Sequence, residues 1–499
     1  IISNIIIVMN YFLIFPHNLF PKKQLLKFIP KDLDVKDLRF LIIEDPLFFG
    51  DKERIKNFTK LKLVLHRGSM KYYEDYLKEK KIKVEYINLS ELDNLKYKFL
   101  KDLDNISYFE LNDHLLESRL KKYLKGKKIT ILSNPNFMVN LDQLEKYHNK
   151  KTKKNKFFHK NFYDFMKSEL KILEKTKSYD NENRNKLPTG MDIPNLPKKK
   201  IDKYAKEAIK YIDKLFPKNY GSSDNLLFPL NHSESKKWVK YFIKEKLNNY
   251  GTYQDAIVDN EGFMFHANIS PMMNIGLINP DYVVDEITEY YNENKKKVGI
   301  NNYEGFIRQI IGWREYQRYC YLYAYNELTK PNYFGHKNKL NKKWYNGTTG
   351  IRPIDDSIKF AFKTGYLHHI IRLMVVSNFM NLCRIKPDDC YKWFMEFSLD
   401  SYDWVMIQNV YSMGQWADGG LTMRKPYISS DNYIVNMSNY KREDWGQIWN
   451  DLYYYFISDH EDKLKKTPYI RNLVHWKKKS KKEKDEIIKS SKKIIKSLT

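Results

Sequence analysis

The stretch Gly365–Val375 reads GYLHHIIRLMV and carries the most informative pattern of the chain. Its apolar residues recur three and four positions apart, the spacing of one buried helix face, and they are Leu367, Ile370, Ile371 and Met374. His368, His369 and Arg372 lie inside that pattern. Burying even a neutral polar group without a partner costs roughly 2–7 kcal/mol. The pattern therefore predicts a helix that lines a polar cavity within an apolar core. A surface helix with solvated histidines is the alternative that this stretch alone leaves open.

The composition indicates a basic, mostly globular protein. With 499 residues, the chain is long enough for at least two domains. A hydrophobic content of 42% and an aromatic content of 15% exclude a mostly disordered chain. The formal net charge of +27 favours a polyanionic partner, either nucleic acid or an anionic membrane surface. AT-rich coding would enrich Lys, Asn, Ile and Tyr in the same way and is the simpler alternative.

The cysteines and the first apolar segment indicate in which cellular compartment the protein is expected. Cys320, Cys383 and Cys390 form no CxxC motif, cannot supply a four-thiolate cluster and suit a reducing compartment. The segment Ile5–Phe15 is apolar except for Asn10, but it is too short to span a bilayer, which needs ~20 residues. It also has no basic leader and no small-residue cleavage site. We therefore expect a buried first strand and an intracellular, soluble protein with no membrane partner, without distinguishing cytoplasm, nucleoid and virion.

Residues 9–140 alternate short apolar runs with helical patterns, which predicts an α/β, Rossmann-like domain with a parallel sheet. The predicted strands are Tyr11–Phe15, Phe40–Ile43, Leu61–Leu65, Val84–Ile87 and Ile129–Leu132. The predicted helices are Met70–Lys81 and Asp113–Lys125. This region has no GxGxxG or Walker motif, although a chromophore could still bind at the strand ends.

The rest of the chain divides into three further segments. Residues 141–202 are rich in lysine and proline, which predicts an interdomain linker. Residues 203–475 are helical in pattern and strongly aromatic, which predicts an all-α domain. Residues 476–499 are dominated by lysine and predict a solvated helix or tail, with a weak electrostatic contact to phosphate as the alternative.

Two constellations in the all-α segment suggest a ligand. Ser270 and Pro271 open a predicted helix, whose hydroxyl and unpaired backbone N–H groups suit a pyrophosphate. Gln309, Trp313 and Tyr316 share one helix face, where Trp313 could stack on a base or ring. Taken singly, an ordinary capped helix and a core tryptophan are the simpler interpretations.

Two more constellations follow in the sequence. Asn346–Asp355 is a glycine-containing loop that leads into the helix before the two histidines, and by itself it fits a plain connection. Asp400–Asn409, Trp416–Gly420 and Arg424–Tyr427 pack acid, aromatic, glycine and base into residues 400–427. A purely structural segment rarely needs this mixture.

Together, the four constellations resemble the photolyase/cryptochrome family. The resemblance is closest to the prokaryotic 6-4 branch of photolyase-related proteins, which usually carry an iron–sulfur cluster. In the first domain it rests on Phe15–Phe20, Glu44–Phe49 and Lys62–Met70. It implies an α/β Rossmann-like N-terminal antenna domain, a linker and an all-α C-terminal FAD-binding domain. The implied activity is light-driven electron transfer from reduced FAD to a pyrimidine dimer in UV-damaged DNA.

The resemblance also implies roles for individual residues. Asn268 and Ser270 match flavin phosphate contacts. The matched FAD-pocket positions are Gln309, Trp313, Arg372, Asp400 and Met406. The implied catalytic positions at the lesion are His369, His368, Tyr427 and Tyr433. Trp393 and Trp344 match tryptophans of the family's electron-transfer route from the surface to the flavin, and Phe394 follows Trp393 where a redox-active tyrosine can sit. His369 stands where cyclobutane-dimer enzymes tend to carry Asn and 6-4 enzymes carry His, and 6-4 repair needs proton transfer.

Two departures from the family pattern stand out. The cluster-bearing branch has one cysteine at the place of Pro353 and a later group near Lys441 and Asp444, whereas this chain has no cysteine after Cys390. We therefore expect no iron–sulfur cluster and no other metal. Aromatic packing of Trp445, Trp449 and Tyr453–Phe456 is expected to hold the C-terminal segment instead. Met406 stands where relatives place Asn or a carboxylate near the flavin N5, and its thioether is a weak hydrogen-bond partner.

The sequence thus predicts an FAD-dependent, light-driven DNA photolyase of the prokaryotic 6-4 type, acting as a monomer. A cyclobutane-dimer photolyase is one alternative, a cryptochrome-like blue-light photoreceptor without repair activity is the second, and a basic DNA-binding protein without flavin is the third. The resemblance further implies an antenna chromophore of the ribityllumazine or deazaflavin type, without a residue that decides between them.

Overall fold

The computed structural model describes residues 10–30, 35–95, 97–150, 157–465 and 467–499. The chain divides into two compact units. The first, here called the sheet unit, comprises Ile1–Tyr147, Pro197–Tyr241 and Ile269–Ile287. The second, here called the helical unit, comprises His148–Leu196, Phe242–Asn268 and Thr288–Thr499. The predicted first strand is confirmed from Asn10 onward, while Ile5–Met9 lies outside the described residues.

The sheet unit contains five parallel strands in the order β3-β2-β1-β4-β5. They are β1 (Asn10–Ile14), β2 (Leu38–Ile43), β3 (Lys83–Ile87), β4 (Asn105–Phe109) and β5 (Lys128–Leu132). The central strand β1 pairs Phe12 with Phe40 on one side and with Ser107 on the other. Strands covered on both faces read as continuous apolar runs, and Phe12, Leu13 and Ile14 are fully buried. The predicted α/β class with a parallel sheet is confirmed.

One predicted strand is wrong and one strand was missed. Leu61–Leu65 belongs to helix α3 (Lys60–Glu79), which also includes most of the predicted helix Met70–Lys81. Residues 61–70 of α3 are all buried, so the apolar run lacks the polar face of an amphipathic helix and resembles a buried strand. The missed strand is β4. The predicted helix Asp113–Lys125 is confirmed as α5 (His114–Tyr123), and the Asp113 side chain caps it by accepting from the Leu116 N–H.

The other helices of the first three hundred residues include two within the predicted linker, α6 and α7. They are α1 (Lys22–Phe28), α2 (Pro46–Phe49), α4 (Leu89–Leu95), α6 (Leu141–Lys150), α7 (His159–Leu170), α8 (Lys203–Leu215), α9 (His232–Glu245), α10 (Leu247–Tyr250), α11 (Ser270–Asn274), α12 (Pro280–Glu293), α13 (Lys295–Val298) and α14 (Ile300–Ile307). Short 3₁₀ turns span Lys98–Asp102 and Asp180–Glu182.

The remaining helices all belong to the helical unit. They are α15 (Glu315–Thr329), α16 (Lys343–Asn346), α17 (Arg352–Thr364), α18 (Asn378–Leu382), α19 (Pro387–Phe397), α20 (Asp403–Met406), α21 (Asp431–Met437), α22 (Asp444–Asp459), α23 (Glu461–Leu464), α24 (Ile470–Lys478) and α25 (Lys481–Leu498). Helix α25 forms from the lysine-rich C-terminal segment and begins with a capping box of Ser480 and Glu483.

Three helical stretches of the described chain are wound as π-helix, where hydrogen bonds skip one residue further than in an α-helix. They are Arg308–Arg314, Ile371–Ser377 and Ile407–Gly414. Such turns are rare and frequently mark functional sites. Two of these stretches contain predicted FAD-pocket residues, and the third follows Met406 directly.

The predicted helix over Gly365–Val375 is only partly helical. Gly365 ends α17, residues 366–368 are not helical, and the helix begins at His369. Leu367 and His368 are nevertheless fully buried. The predicted burial of polar groups in an apolar surrounding is thereby confirmed for His368, whereas the side chain of His369 is 44% exposed, as the surface-helix alternative expected.

Candidate functional site

The centre of the site is an ion pair between Arg372 and Asp400, both in the helical unit. Arg372 donates from Nη1 and Nη2 to the two carboxylate oxygens of Asp400 at 2.9 and 3.1 Å. Its Nε donates to the carbonyl of Leu367 at 2.5 Å, and Ser398 Oγ donates to Asp400. The side chains of Arg372 and Asp400 are only 18% and 11% exposed. Two-point geometry of this kind is the strong form of an arginine–carboxylate contact.

The charge of the pair follows from this geometry. Burial is the largest single influence and opposes the charged form of Arg372, but Asp400 and Tyr366 together outweigh it, so the pKa of Arg372 lies above its ordinary value. The guanidinium also lies 5.0 Å from the centroid of the Tyr366 ring. The site therefore keeps a fixed cation and a fixed anion with little water around them.

A sharp turn at Gly365 brings the two partners together. Gly365 has a φ of +70°, a conformation that side chains rarely adopt, and its carbonyl accepts from the Leu399 N–H at 3.0 Å. A Cβ atom on Gly365 would lie 2.6 Å from the Leu399 side chain. The backbone segments that lead to Arg372 and to Asp400 thus approach each other because this residue has no side chain.

Three histidines cluster beside the ion pair. The rings of His266 and His368 stack with centroids 4.7 Å apart and planes 11° apart, and His369 approaches His266 edge-on at 5.1 Å. His368 is fully buried, and neither of its ring nitrogens has a hydrogen-bond partner among the described residues; the same holds for Nε2 of His266. Burial, then neighbouring positive groups, lowers the pKa of His266 and of His368 well below the ordinary value. Both rings are therefore neutral at pH 7.

The same three histidines are close enough to suggest a metal site, since their ligand atoms lie within 4.8 Å of one another. Ring nitrogens bind a metal through lone pairs that lie in the ring plane. Because His266 and His368 are stacked with nearly parallel planes, their lone pairs run side by side instead of converging. The geometry fits hydrogen bonding to a polar ligand better than it fits coordination of an ion.

A buried cation lies close to the histidines. Lys246 Nζ donates to the carbonyl of Met264 at 2.7 Å and is 3.5 Å from Oδ1 of Asn268. Burial lowers the pKa of Lys246 to about 8, partly opposed by Glu261. Asn268 has a φ of +52° and is buried. Of the two predicted phosphate contacts, Asn268 thus lies beside a buried cation, while Ser270 begins α11 in the sheet unit.

The half-exposed rim of the site contains the residues predicted for the lesion. The His369 side chain is 44% exposed, and its Nε2 lies 3.8 Å from Oδ1 of Asp255. Tyr427 and Tyr433 are half-buried, and burial raises the pKa of each. Asp180 adds to the rise for Tyr427 and Asp255 adds to it for both, while Arg184 opposes it. Asp255 is therefore an electrostatic neighbour that His369 and both tyrosines share.

Gln309 and Trp313 lie half-buried on the π-helical stretch Arg308–Arg314. One face of Trp313 is covered by His159, whose ring is stacked on it with centroids 3.7 Å apart. Met406 ends α20 and is 4% exposed. These three predicted pocket residues thus all lie in the helical unit. Their contact with a flavin stays a prediction.

The two predicted electron-transfer tryptophans are fully buried and connected. Trp393 Nε1 donates to the backbone carbonyl of Trp344 at 2.8 Å, and Trp344 Nε1 donates to the carbonyl of Leu498 at 3.0 Å. Helix α25 therefore covers Trp344.

Sequence reasoning missed several residues that the structure brings to the site. His266 precedes the two predicted phosphate contacts, Asn268 and Ser270, by two and four positions, so its place beside them was an available signal. Lys246 is one of 88 Lys and Arg residues, and no local pattern distinguishes it. Asp255 is likewise unremarkable in sequence and gains its role only through proximity to His369.

The fold has counterparts among solved structures. A cryptochrome from Synechocystis superposes with a TM-score of 0.57 at 14% identity, over 97% of this chain and 99% of that one. This likeness concerns the fold. Within the described residues, each helix is either too short or too polar to cross a lipid bilayer.

Sequence comparisons specify the family. Residues 12–228 match the family described as deoxyribodipyrimidine photo-lyase-related protein, and residues 304–486 match the FAD binding domain of DNA photolyase. The chain belongs to the photolyase/cryptochrome family. It is 34% identical over 298 residues to a (6-4) photolyase of Agrobacterium fabrum, a match that covers 58% of this chain and 58% of that protein. It is also 56% identical to an uncharacterized protein of Acanthamoeba polyphaga mimivirus over 123 residues, which are 24% of this chain and 98% of that protein.

The described residues fit the cofactor that this domain implies. Unpartnered nitrogens on His266 and His368, beside the Arg372–Asp400 pair, suit the polar edge of a flavin ring. Lys246 and Asn268 offer a buried positive charge and an amide of the kind that a diphosphate requires. These residues thus offer hydrogen-bonding groups for the ring and a positive charge for the phosphates.

Proposed function

We propose that this protein is a light-driven DNA photolyase that repairs a UV-induced pyrimidine dimer, with the 6-4 photoproduct as the favoured substrate. The observation that carries the proposal is the group of three histidines beside the Arg372–Asp400 pair, with His369 as the half-exposed member. When bound, FAD would supply the light-driven transfer of one electron.

The histidines have different parts in this proposal. His369 lies at the rim with Asp255 at 3.8 Å, where it can reach a flipped-out lesion and transfer a proton. His368 is neutral and fully buried, so it holds hydrogen bonds without adding charge next to Arg372. Tyr427 and Tyr433 would line the same lesion pocket, and their raised pKa values keep the phenols protonated as donors.

The overall charge supports DNA as the partner. The chain has 88 Lys and Arg residues against 61 Asp and Glu residues, which favours binding of a phosphate backbone. The affinity for DNA should fall steeply as the salt concentration rises. A uniform salt slope without any preference for damaged DNA would count against a repair role.

A blue-light photoreceptor is the second candidate. Met406 is 4% exposed where relatives place a polar residue near the flavin N5, and a buried thioether there weakens the control of the flavin's redox state. A photoreceptor would bind flavin and respond to light without restoring damaged bases. His369 argues for 6-4 repair over cyclobutane-dimer repair, which is the remaining alternative within the family.

The deciding experiment uses two oligonucleotides, one with a single 6-4 photoproduct and one with a single cyclobutane dimer. Protein with reduced FAD should restore native pyrimidines in the first oligonucleotide under blue light and not in the dark. Repair of only the second would assign the cyclobutane-dimer activity, and photoreduction without repair of either would assign the photoreceptor.

His369 provides the sharpest variant for this experiment. His369→Ala should abolish 6-4 repair while the FAD absorbance per protein stays unchanged, because the residue lies at the rim and not under the ion pair. His475→Ala is the matched control, since His475 is an exposed histidine on α24. Repair that survives in His369→Ala would remove the assigned role.

For the sheet unit, we propose that an antenna chromophore binds at the carboxyl ends of the strands, where ligands of such sheets bind. His17 follows β1, Asp45 follows β2 and Asp113 follows β4, and all three are buried. The side-chain amide of Asn18 has no hydrogen-bond partner among the described residues. A ribityllumazine or a deazaflavin released by denaturation and identified by mass spectrometry would name the chromophore.

A further inference from the structure

A phenol–carboxylate pair lies next to the predicted tryptophan route and has no part in the function proposed so far. Tyr345 on α16 is half-buried, and its hydroxyl donates to Oε2 of Glu396 on α19 at 2.9 Å. The side chain of Glu396 is 2% exposed. Because Tyr345 is partly accessible while its proton acceptor is buried, the pair connects the protein surface with the interior.

This pair adjoins both tryptophans. Tyr345 directly follows Trp344, and Trp393 donates its indole N–H to the carbonyl of Trp344. The ring of Phe362 lies 6.0 Å from the ring of Tyr345 and 6.0 Å from that of Trp393. Glu396 is three residues after Trp393 on the same helix, α19. An electron leaving Tyr345 therefore has short aromatic and backbone connections to Trp393.

The two candidate end points of the route differ in what can accept their proton. Trp344 donates its indole N–H to the backbone carbonyl of Leu498, which is a hydrogen-bond acceptor but not a base. Among the described residues, the acceptor that holds the Trp344 indole N–H is therefore not one that can take its proton. Tyr345 donates to a carboxylate, which can take the phenol proton as the electron leaves.

The surroundings of Glu396 adjust its basicity. Burial raises the pKa of Glu396 to about 7, opposed by Lys392 and by the Tyr345 hydroxyl, with Asp389 adding to the rise. The nearest charge is Lys392, whose Nζ lies 3.8 Å from the carboxylate. A group with a pKa close to the working pH both accepts and releases a proton readily.

We propose that Tyr345 is the terminal electron donor of the Trp393–Trp344 route and that Glu396 takes its proton. The inference rests on the proposed light-driven function, with photoexcited oxidised flavin as the oxidant. Tyr345 loses one electron toward Trp344 and Trp393, its O–H bond breaks, and the proton forms an O–H bond with the Glu396 carboxylate. A thiolate in solution then returns one electron to Tyr345 and becomes a thiyl radical, while Glu396 gives the proton back, so that the phenol and the carboxylate are both restored.

Flash excitation of the full-length protein with oxidised FAD tests the proposal, read out by electron paramagnetic resonance and transient absorption. The wild-type protein should show a neutral tyrosyl radical, and Tyr345→Phe should lose it together with most of the long-lived flavin reduction. Glu396→Gln retains the phenol but removes the base, so it should lose the radical as well. Tyr204→Phe is the matched control, because Tyr204 donates to the Asp75 carboxylate at the same distance, 2.9 Å, in the sheet unit.

The pH profile provides a second readout. The yield of the tyrosyl radical in the wild-type protein should fall as the pH drops through about 7, because a protonated Glu396 cannot accept the phenol proton. A radical that persists in Tyr345→Phe, or its absence from the wild-type protein, would overturn the proposal. Persistence in Glu396→Gln would overturn the assignment of the proton acceptor.

Failure of the proposed function would look different. Protein reduced chemically beforehand bypasses the route, so its repair of damaged DNA depends on the lesion site alone. If such protein repairs neither lesion while the tyrosyl radical still forms, the photolyase assignment fails and the role of Tyr345 stands.

Discussion

Two arginines of the helical unit bind carboxylates in opposite surroundings. Arg372 makes its two-point contact with Asp400 under the surface, where the side chains are 18% and 11% exposed. Arg352, at the start of α17, contacts Glu443 at 3.0 Å with side chains 46% and 48% exposed. Breaking a buried pair leaves an uncompensated charge, whereas an exposed pair is worth little. Burial, and not the number of ion pairs, therefore decides which of these contacts the stability of the fold depends on.

The position of Arg352 makes this comparison informative. It precedes Pro353, and its carboxylate partner Glu443 precedes Asp444, two of the positions on which the predicted absence of an iron–sulfur cluster rests. The further contacts of the Arg352 guanidinium are Asp259 at 3.2 Å, Asp356 at 3.8 Å and the Tyr440 ring at 5.6 Å. We expect these charges to add little and the aromatic core of α22 to hold the C-terminal segment.

The largest effect is expected for Asp400→Ala. Removing the carboxylate leaves Arg372 charged and buried, which should lower the free energy of unfolding by about 3–5 kcal/mol. Urea denaturation of the apoprotein measures the stability, and absorbance measures the bound FAD. The double variant Arg372→Met/Asp400→Leu is the control and should recover much of the stability without recovering FAD binding. A loss below about 1 kcal/mol would mean that the Arg372–Asp400 pair contributes no more to stability than an exposed ion pair does.

Trp449→Ala should cost nearly as much, because it tests the aromatic core directly. Trp449 is fully buried, its ring lies 4.7 Å from that of Phe379, and its Nε1 donates to the carbonyl of Ser429. Deleting a large buried side chain typically costs about 3–5 kcal/mol. Trp449→Phe retains most of the packing and should lose clearly less in the same urea titration. Equal losses for the two variants would mean that the indole hydrogen bond, and not the packing of the ring, supplies the stability.

The buried cation Lys246 should make the stability of the protein depend on pH. Its pKa is lowered to about 8 by burial, below the value of an unfolded lysine. Between that pKa and about 10.4 the unfolded chain binds more protons, so stability contributed by this group rises with pH, by at most about 3 kcal/mol. Lys246→Met should flatten this part of the profile relative to the wild-type protein. Parallel profiles for the two proteins would show that Lys246 titrates normally.

Arg352→Ala should have the smallest effect, below about 1 kcal/mol, because its partners are exposed. The small loss should disappear in 1 M NaCl, where the Debye length is about 3 Å. The effect of Asp400→Ala should persist at that salt concentration. A large loss in Arg352→Ala would mean that the charge network, and not Trp449, holds the C-terminal segment.

The sequence was sufficient for the features that depend on local pattern. Alternating apolar runs predicted the parallel sheet, and the resemblance pointed to Arg372 and Asp400, which the structure joins. The strand assigned to Leu61–Leu65 was wrong because α3 is buried on all sides there, so the apolar run had no helical period to reveal. The start of the helix at His369, after a non-helical turn, was not visible in the spacing either.

The features that sequence could not predict depend on contacts between distant residues. Tyr345 and Glu396 are 51 positions apart, and the stacking of His266 on His368 spans more than a hundred. The π-helical winding at Arg308–Arg314 and Ile371–Ser377 was not predicted either, because no local pattern distinguishes these residues from those of an ordinary α-helix. Three-dimensional proximity, not composition, distinguishes these residues from their many counterparts in the chain.

The contact between Trp344 and Leu498 has a practical consequence. Because a single indole proton is held by the last turn of α25, its rate of exchange with deuterium reports whether that helix is docked. Nuclear magnetic resonance of a tryptophan-labelled sample could follow this one proton in darkness and under illumination. The indole proton of Trp344 is therefore a natural probe for movement of the C-terminal helix α25.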